Sequence, residues 1–484
     1  MTTVERIALV AIGIHMAVVL VAAVVISANR RPSSAIAWVL AIIFIPVLGT
    51  LLFLLVGTGR LPRARRDKQR EVNKLVAART QGLDLVSHRE EWPGWMPSLV
   101  RMNVTLGALP MVGGNRARLL EDYAGSFAAM VADIDAATEY VHVEFYILVK
   151  DAATDEFFAA LARARSRGVE VRVLSDHLSS FLLPNRKATI AAMRSTGVEW
   201  FAMLPLRPFR GEWQRPDLRN HRKLVVVDGR IGFTGSQNLV DSTYHKKAKR
   251  HGQLHWVELM VRVEGPVVRE LNAIFVTDWY SESNELLPFD TTPVVLQDAA
   301  DSLDAQAVPS GPSFENDNNL KLYVGMIHGA RERISITSPY FVPDESTMLA
   351  IVTACARGVA VELFVSAAAD QALVYHAQRS YYEQLLRAGV QIYLYRAPEM
   401  LHSKHFSIDD DAAVIGSSNM DIRSFSLNME VSLLVHGRAF VDDLRRVEDA
   451  YRAKSDPLTL REWTARPLAH RVNDSLARLT SSLQ

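Results

Sequence analysis

The stretches "NHRKLVVVDGRIGFTGSQN" (220–238) and "LHSKHFSIDDDAAVIGSSN" (401–419) carry the same polar residues at the same intervals on unrelated apolar backgrounds. His221 corresponds to His402, Lys223 to Lys404, Asp228 to Asp409, Gly235 to Gly416, Ser236 to Ser417 and Asn238 to Asn419. A repeat of this kind constrains the fold more than any compositional property, because each copy must be one unit of a duplicated architecture. Within each copy, His and Lys are two residues apart, so on a strand both side chains project from one face. The Asp-Gly step after Val227 is a turn signal, and the apolar run beyond it returns as the second strand of a hairpin. Ser236 and Asn238 thereby come back alongside His221 and Lys223.

The flanking sequence repeats more coarsely. "YVHVEFYIL", "DEFFAALARARSRG" and "VEVRVLSD" read as strand, helix and strand, and "ISITSPYFV", "STMLAIVTACARG" and "VAVELFVSA" follow the same order. A further helix closing on Gly-Val and a strand follow in each half, at "ATIAAMRSTGVEWF" and "YYEQLLRAGVQIYLY". Strands alternating with helices predict an α/β class. "LLEDYAGSFAAMVADIDAATEY" and "NLKLYVGMIHGARER" supply one opening helix per half, and the Pro-, Ser-, Asp- and Asn-rich stretch near 291–316 reads as a linker with a short strand at "PVVLQD".

Two segments near the start, Ile7 to Ser27 and Ala35 to Gly57, are each about the ~20 residues that cross a bilayer, separated only by "ANRRPSS". They predict a transmembrane hairpin. Arg60, Arg63, Arg65, Arg66, Lys68 and Arg70 outnumber Arg30 and Arg31, which places the N-terminus and the bulk of the chain in the cytoplasm. That basic run fixes topology and would also lie against anionic headgroups. His15, with no acidic residue in either span, reads as a packing residue. Leu468, Val472, Leu476, Leu479 and Leu483 fall three or four apart in a terminal amphipathic helix, for which core packing and membrane contact are both open. The expected organisation is thus 1–58 hairpin, 59–112 basic juxtamembrane linker, 113–290 first half, 291–316 linker, and 317–484 second half with the terminal helix. The single cysteine, Cys355, excludes an intrachain disulfide and sits in a helical apolar pattern as a core residue.

An imidazole, an ammonium, a hydroxyl and an amide gathered on one hairpin suit a phosphate, since the cation neutralises charge while the others donate hydrogen bonds. With two such hairpins, one histidine can attack phosphorus while the other protonates the leaving alkoxide. Asp228 and Asp409 stand at the turns, at the far end of the strands, and by geometry read as turn formers or distant stabilisers.

The two H-x-K-x4-D-x6-G-S-x-N motifs resemble the signature of the phospholipase D superfamily. With the N-terminal hairpin, "EFYIL", "SPYFVPDE", "YYEQLLRAGVQIYLY" and the tail "REWTARP", nearly the whole chain is similar to bacterial cardiolipin synthases. The resemblance implies two α/β/α sandwich halves with a shared active site between them. It implies catalytic roles for His221, Lys223, Asp228, His402, Lys404 and Asp409, and phosphate contacts for Ser236, Asn238, Ser417 and Asn419. An acidic residue after each motif would orient a histidine. Glu430 fits that place, and Glu258 is its counterpart after a longer interval. That interval holds "HKKAKRH" (245–251), either an anionic-headgroup reader or a solvated loop. The superfamily commonly uses the first motif's histidine as nucleophile, giving His221 as nucleophile and His402 as acid. The near-symmetric sequence does not decide between them.

The implied reaction transfers a phosphatidyl group between two phosphatidylglycerol molecules, yielding cardiolipin and glycerol at the cell membrane. No cofactor or metal is required, and no nucleic-acid partner is expected of a chain with net charge +1. The competing readings are a membrane-anchored phospholipase or phosphodiesterase, a nuclease, and an inactive lipid-binding scaffold. Intact His and Lys in both copies disfavour the scaffold, and the membrane segment disfavours the nuclease. The oligomeric state is not legible.

Overall fold

The computed structural model describes residues 2–29, 32–57, 61–80, 85–181, 183, 185–207, 215–244, 254–288, 302–314 and 317–479. Two units are distinguished, one comprising 1–60 with the short stretch 215–217, the other the remainder. In the first, helix Thr3–Asn29 is apolar along its length and long enough to cross a bilayer. The second expected span differs from expectation. It forms two helices, Pro32–Phe44 and Pro46–Val56, broken at Ile45, where φ is −130° and ψ is 70°. Pro46 causes the break, because it lacks an N–H and its ring collides with the carbonyl four residues back. Neither piece alone covers the ~30 Å hydrocarbon core, so one described helix, not two, has spanning length by itself.

In the larger unit, two runs of seven strands repeat one order within a single fifteen-stranded sheet. In the first half, Tyr140–Phe145, Glu170–Asp176 and Glu199–Met203 are parallel neighbours. The motif hairpin, Lys223–Val227 with Ile231–Gly235, adds antiparallel to Tyr140–Phe145, and Met260–Glu264 and Val112–Leu120 follow. The second half repeats this with Arg333–Thr337, Ala360–Ser366 and Gln391–Tyr395, then the hairpin His405–Ile408 with Ala412–Gly416, then Glu430–His436 and Leu303–Ser310. The central parallel strands Tyr140–Phe145 and Arg333–Thr337 are buried along nearly their whole length, as a helix-covered sheet requires. Helix Asp155–Ser166 buries Phe157, Phe158, Leu161 and Ala164 at helical spacing. Gly168 (φ 90°) and Gly358 (φ 89°) end equivalent helices in left-handed geometry that turns the chain into the next strand.

Two stretches assigned to linkers are structured. Leu303–Ser310 is a wholly buried strand, paired with Glu430–His436 on one side and Val112–Leu120 on the other, so it joins the halves rather than separating them. The basic run after the membrane segment forms helix Arg63–Thr80, with Val72 and Val76 buried and Arg65 paired with Glu282. Its apolar residues are docked on the body, which explains why it is not a free linker. Helix Met96–Thr105 likewise buries Met96, Leu99 and Asn103. The "PVVLQD" strand, Leu483 and the "HKKAKRH" cluster lie outside the described residues.

Candidate active site

Each motif hairpin places its His and Lys just before or at the first strand, on the edge where the two halves meet. The backbone there belongs to both halves. His221 N–H donates to the Met429 carbonyl (2.8 Å), and His402 N–H to that of Val257 (2.7 Å). Strand Glu399–Leu401, leading into the second motif, pairs in parallel with His255–Val257 of the first half. Arg222, between His221 and Lys223, donates from Nε to the Glu430 carbonyl (3.0 Å) and pairs with the buried Asp278.

The glutamates cross over. Nδ1 of His221 lies 2.9 Å from both carboxylate oxygens of Glu430, and Nδ1 of His402 lies 2.7 Å from Oε1 of Glu258. Each histidine is therefore oriented by the opposite half, not by the acid that follows its own motif. Holding Nδ1–H on a carboxylate leaves Nε2 as the free ring nitrogen. Lys404 Nζ sits 3.1 Å from Nε2 of His402 and 2.6 Å from the His402 carbonyl, and Lys223 Nζ likewise reaches the His221 carbonyl (2.5 Å).

The remaining motif residues divide. Asp228 and Asp409 are removed from the histidines, at the turns where hairpin geometry placed them. Seven residues of mostly extended chain carry Asp228 roughly 20 Å from His221. Its carboxylate accepts from the N–H groups of Thr138, Glu139 and Tyr140 at 2.8–2.9 Å. Asp409 repeats this with Arg331, Glu332 and Arg333. Both occupy left-handed turn positions (φ 50° and 47°), which Asp tolerates. Burial works against the charge of Asp228, yet those N–H donors hold its carboxyl below the ordinary range. The serines are also spent locally. Ser236 Oγ accepts from Leu259 N–H (2.9 Å), while Ser417 Oγ accepts from Val431 N–H (3.0 Å) and donates to Glu430 (2.5 Å). They thereby tie the motif strands to those bearing the glutamates. Asn238 Oδ1 accepts from Ile147 N–H at 3.3 Å, and Asn419 Oδ1 is buried with no hydrogen-bond partner among the described residues.

Comparison with known proteins bears directly on this duplicated site. A family described as "Cardiolipin synthase, PLD-like domain" matches residues 130–279 and 323–450, over half of the chain, and a "Phospholipase_D-nuclease N-terminal" family matches 17–57. Cardiolipin synthase A of Proteus mirabilis is 33% identical over 462 residues, covering 94% of each chain. That of Salmonella arizonae is 32% identical over 459 residues, again 94% of each. The chain belongs to the cardiolipin synthase family of phospholipase D-like proteins. The fold agrees: a crystal structure of phosphatidylserine synthase from Haemophilus influenzae superposes with a TM-score of 0.57 at 15% identity, over 79% of this chain and 99% of that one.

In this cardiolipin synthase family member, the pocket is electrostatically tense. Burial pulls the Lys223 ammonium down to about 7 and Lys404 to about 8, against glutamates that favour their charge. Burial, then the two lysines and His402, hold His221 well below its usual value, so its imidazole is neutral. Burial also lowers His402, but Glu258 opposes it. Burial pushes Glu430 up to about 7, opposed first by Lys223.

The walls are aromatic. Tyr146 meets the His221 ring edge-on at 4.9 Å and stands 5.5 Å from Lys223 Nζ, and Trp256 meets His402 at 4.7 Å. Tyr340, one register position beyond the equivalent of Tyr146, lies 6.2 Å from His402. Sequence reasoning did not single these out, although "EFYIL" and "SPYFVPDE" each contain one of the tyrosines just after the first strand of its half.

Proposed function

We propose that this chain is a membrane-attached phosphatidyltransferase that makes cardiolipin from two phosphatidylglycerol molecules, with both halves serving one site. In the first step, Nε2 of His221 attacks the phosphorus of one phosphatidylglycerol. The phosphorus–oxygen bond to the glycerol headgroup breaks, and the departing oxygen takes a proton from Nε2 of His402. Glycerol leaves and a phosphatidyl-histidine remains. In the second step, the terminal hydroxyl of another phosphatidylglycerol gives its proton to His402 and attacks the same phosphorus. Breaking the phosphorus–nitrogen bond frees cardiolipin and restores both imidazoles.

The observation that carries this reading is the crossed pairing of His221 with Glu430 and His402 with Glu258. Two imidazoles held by their Nδ1 atoms, one from each half, suit attack and protonation on opposite sides of one phosphorus. The roles follow from their surroundings. His221, more strongly biased to the neutral form, suits the nucleophile, while Glu258 supports the charged form of His402 that an acid needs. Lys223 and Lys404 would meet the phosphate oxygens, and an incoming phosphate would draw Lys404 away from His402, freeing Nε2. Glu430 and Glu258 act as positioning residues, while Asn238 and Asn419 complete the phosphate cradle. We further assign the two helices Pro32–Phe44 and Pro46–Val56 to one bent second span, with the catalytic halves on the cytoplasmic side, as the basic residues after it favour.

The test is incubation of the purified full chain with labelled phosphatidylglycerol in vesicles, followed by mass spectrometry of the lipids. Cardiolipin with stoichiometric glycerol is expected. Phosphatidic acid as the only product would replace the transferase with a hydrolase.

A further inference from the structure

The apolar stripe of the terminal helix points away from the body. On helix Leu468–Arg478 and the residue after it, Leu468, Val472, Leu476 and Leu479 are 73, 46, 58 and 77% exposed. The same helix buries Asp474 and Ala477 instead. At about 100° per residue, these two lie on the side opposite the four apolar residues. Asp474 is held there by two arginines and an imidazole, Arg466 at 2.7 Å, Arg379 at 3.5 Å and His376 Nδ1 at 2.8 Å. The amphipathic pattern is thus inverted relative to a helix that packs its apolar face on a core.

What flanks the stripe selects its occupant. Arg471 and Arg478 are exposed along one flank, Arg471 also 3.8 Å from Glu383 and Arg478 over the Tyr381 ring, and the one acid of the helix, Asp474, is consumed inside. An outward apolar band bordered on one side by two arginines fits the boundary of an anionic bilayer, where leucines enter the acyl region and arginines meet phosphates. The position also fits. The helix packs on Ala372–Arg379, whose Gln378 accepts from Phe341 N–H at 2.8 Å. Asp370, just before that neighbour, accepts from the Tyr340 hydroxyl at 2.9 Å, and the Tyr340 ring borders His402. Leu373 on the same neighbour is 52% exposed.

We propose that helix Leu468–Arg478 is an interfacial helix that seats the catalytic body on an anionic lipid surface, on the side of the second half that carries Ala372–Arg379. This docking point is separate from the N-terminal membrane helix, and it orients the body rather than tethering it. The inference rests on membrane attachment of the chain, not on the chemistry assigned to either histidine.

The experiment uses the full chain in vesicles of phosphatidylglycerol and phosphatidylethanolamine. With Cys355→Ala as background, a nitroxide is attached in turn at Val472→Cys, Leu476→Cys, Leu479→Cys and Asn473→Cys. Collision with oxygen is expected to exceed collision with a water-soluble nickel chelate at 472, 476 and 479, and to fall below it at 473. Aqueous accessibility at all four sites overturns the proposal. So does mutual broadening of the labels that grows with protein-to-lipid ratio, which would mean that a second copy covers the stripe. In parallel, Val472→Ser with Leu476→Ser is expected to slow turnover of long-chain phosphatidylglycerol in vesicles at least tenfold while sparing a monomeric short-chain analogue. An equal loss on both substrates counts against the proposal. The label readout needs no turnover, so a chain that makes no cardiolipin leaves it intact.

Discussion

Glu430 reaches across 209 residues of chain to hold Nδ1 of His221 at 2.9 Å, so the imidazole of the first motif is set by the second half. Glu258 does the same for His402 across 144 residues. A carboxylate at Nδ1 fixes the tautomer and supports positive charge on the ring as it forms. Neither half therefore holds a complete oriented imidazole of its own.

The first prediction concerns that exchange. Glu430→Gln keeps the shape but removes the charge, and it should lower kcat by about 10²–10⁴-fold with KM little changed. Glu258→Gln should cost a comparable factor, through the acid rather than the nucleophile. Steady-state kinetics on vesicle substrate reads both. A variant whose KM rises while kcat stands would move these glutamates from orientation to substrate binding.

The assignment of His221 as nucleophile is open to a chemical test. A phosphatidylglycerol analogue whose headgroup is replaced by p-nitrophenol needs little help from an acid to leave. With it, His402→Ala should release one equivalent of nitrophenol in a burst and retain the phosphatidyl group on the protein. His221→Ala should show neither burst nor adduct. If the two variants behave in the reverse sense, the roles are exchanged between the halves.

The lysines set the alkaline limb. Burial brings Lys223 to about 7 and Lys404 to about 8. Raising pH through these values discharges the ammonium groups that would meet an anionic phosphate, so kcat/KM should fall from about pH 7 upward. Stability should move oppositely. Between those folded values and about 10.4, the unfolded chain binds more protons than the folded one, so unfolding free energy contributed by these lysines rises with pH. Thermal melts of wild type and of Lys223→Met with Lys404→Met, from pH 7 to 9.5, check the sign. The wild-type Tm should climb relative to the double variant.

Much of this was legible because it is periodic. The hairpins announce themselves by a His-x-Lys strand start, an Asp turn and a Gly-Ser return, and the parallel strands by buried apolar runs. What stayed hidden depends on partners distant in sequence. Leu303–Ser310, "LDAQAVPS", alternates only over Leu303–Ala307, lies in a Pro-, Ser- and Asp-rich stretch, and is a strand because both halves pair with it. Its Asp304 accepts from Ser87 N–H and the Trp92 indole, and its Gln306 donates to the Leu109 carbonyl, so polar residues are satisfied inside the core. Helix Arg63–Thr80 is highly charged, and its few buried valines give little periodic signal. The crossover of Glu258 and Glu430 has no trace in spacing, since spacing within a half says nothing about which histidine an acid meets. The outward stripe of the terminal helix was visible as a stripe, but its direction is set by Asp474 and the two arginines and the histidine around it.

The last prediction separates Asp228 from the chemistry. Its carboxylate holds three backbone N–H groups and a Thr138 hydroxyl at a left-handed turn, at the end of the strand remote from His221. Asp228→Ala leaves those donors without their partner and puts a Cβ lacking local hydrogen bonds at a positive φ, which should cost about 2–4 kcal/mol of stability. Because the folded pKa of this carboxyl is depressed, its contribution is present above the ordinary Asp value of about 3.9 and is lost as pH falls through the folded one. Turnover per folded molecule should stay within about threefold of wild type, since a group this far from the phosphorus neither accepts its protons nor meets its oxygens. Denaturant titration and kcat normalised to the folded fraction, measured together, decide the matter. A stable, folded Asp228→Ala protein with kcat reduced a thousandfold would return Asp228 to the catalytic set.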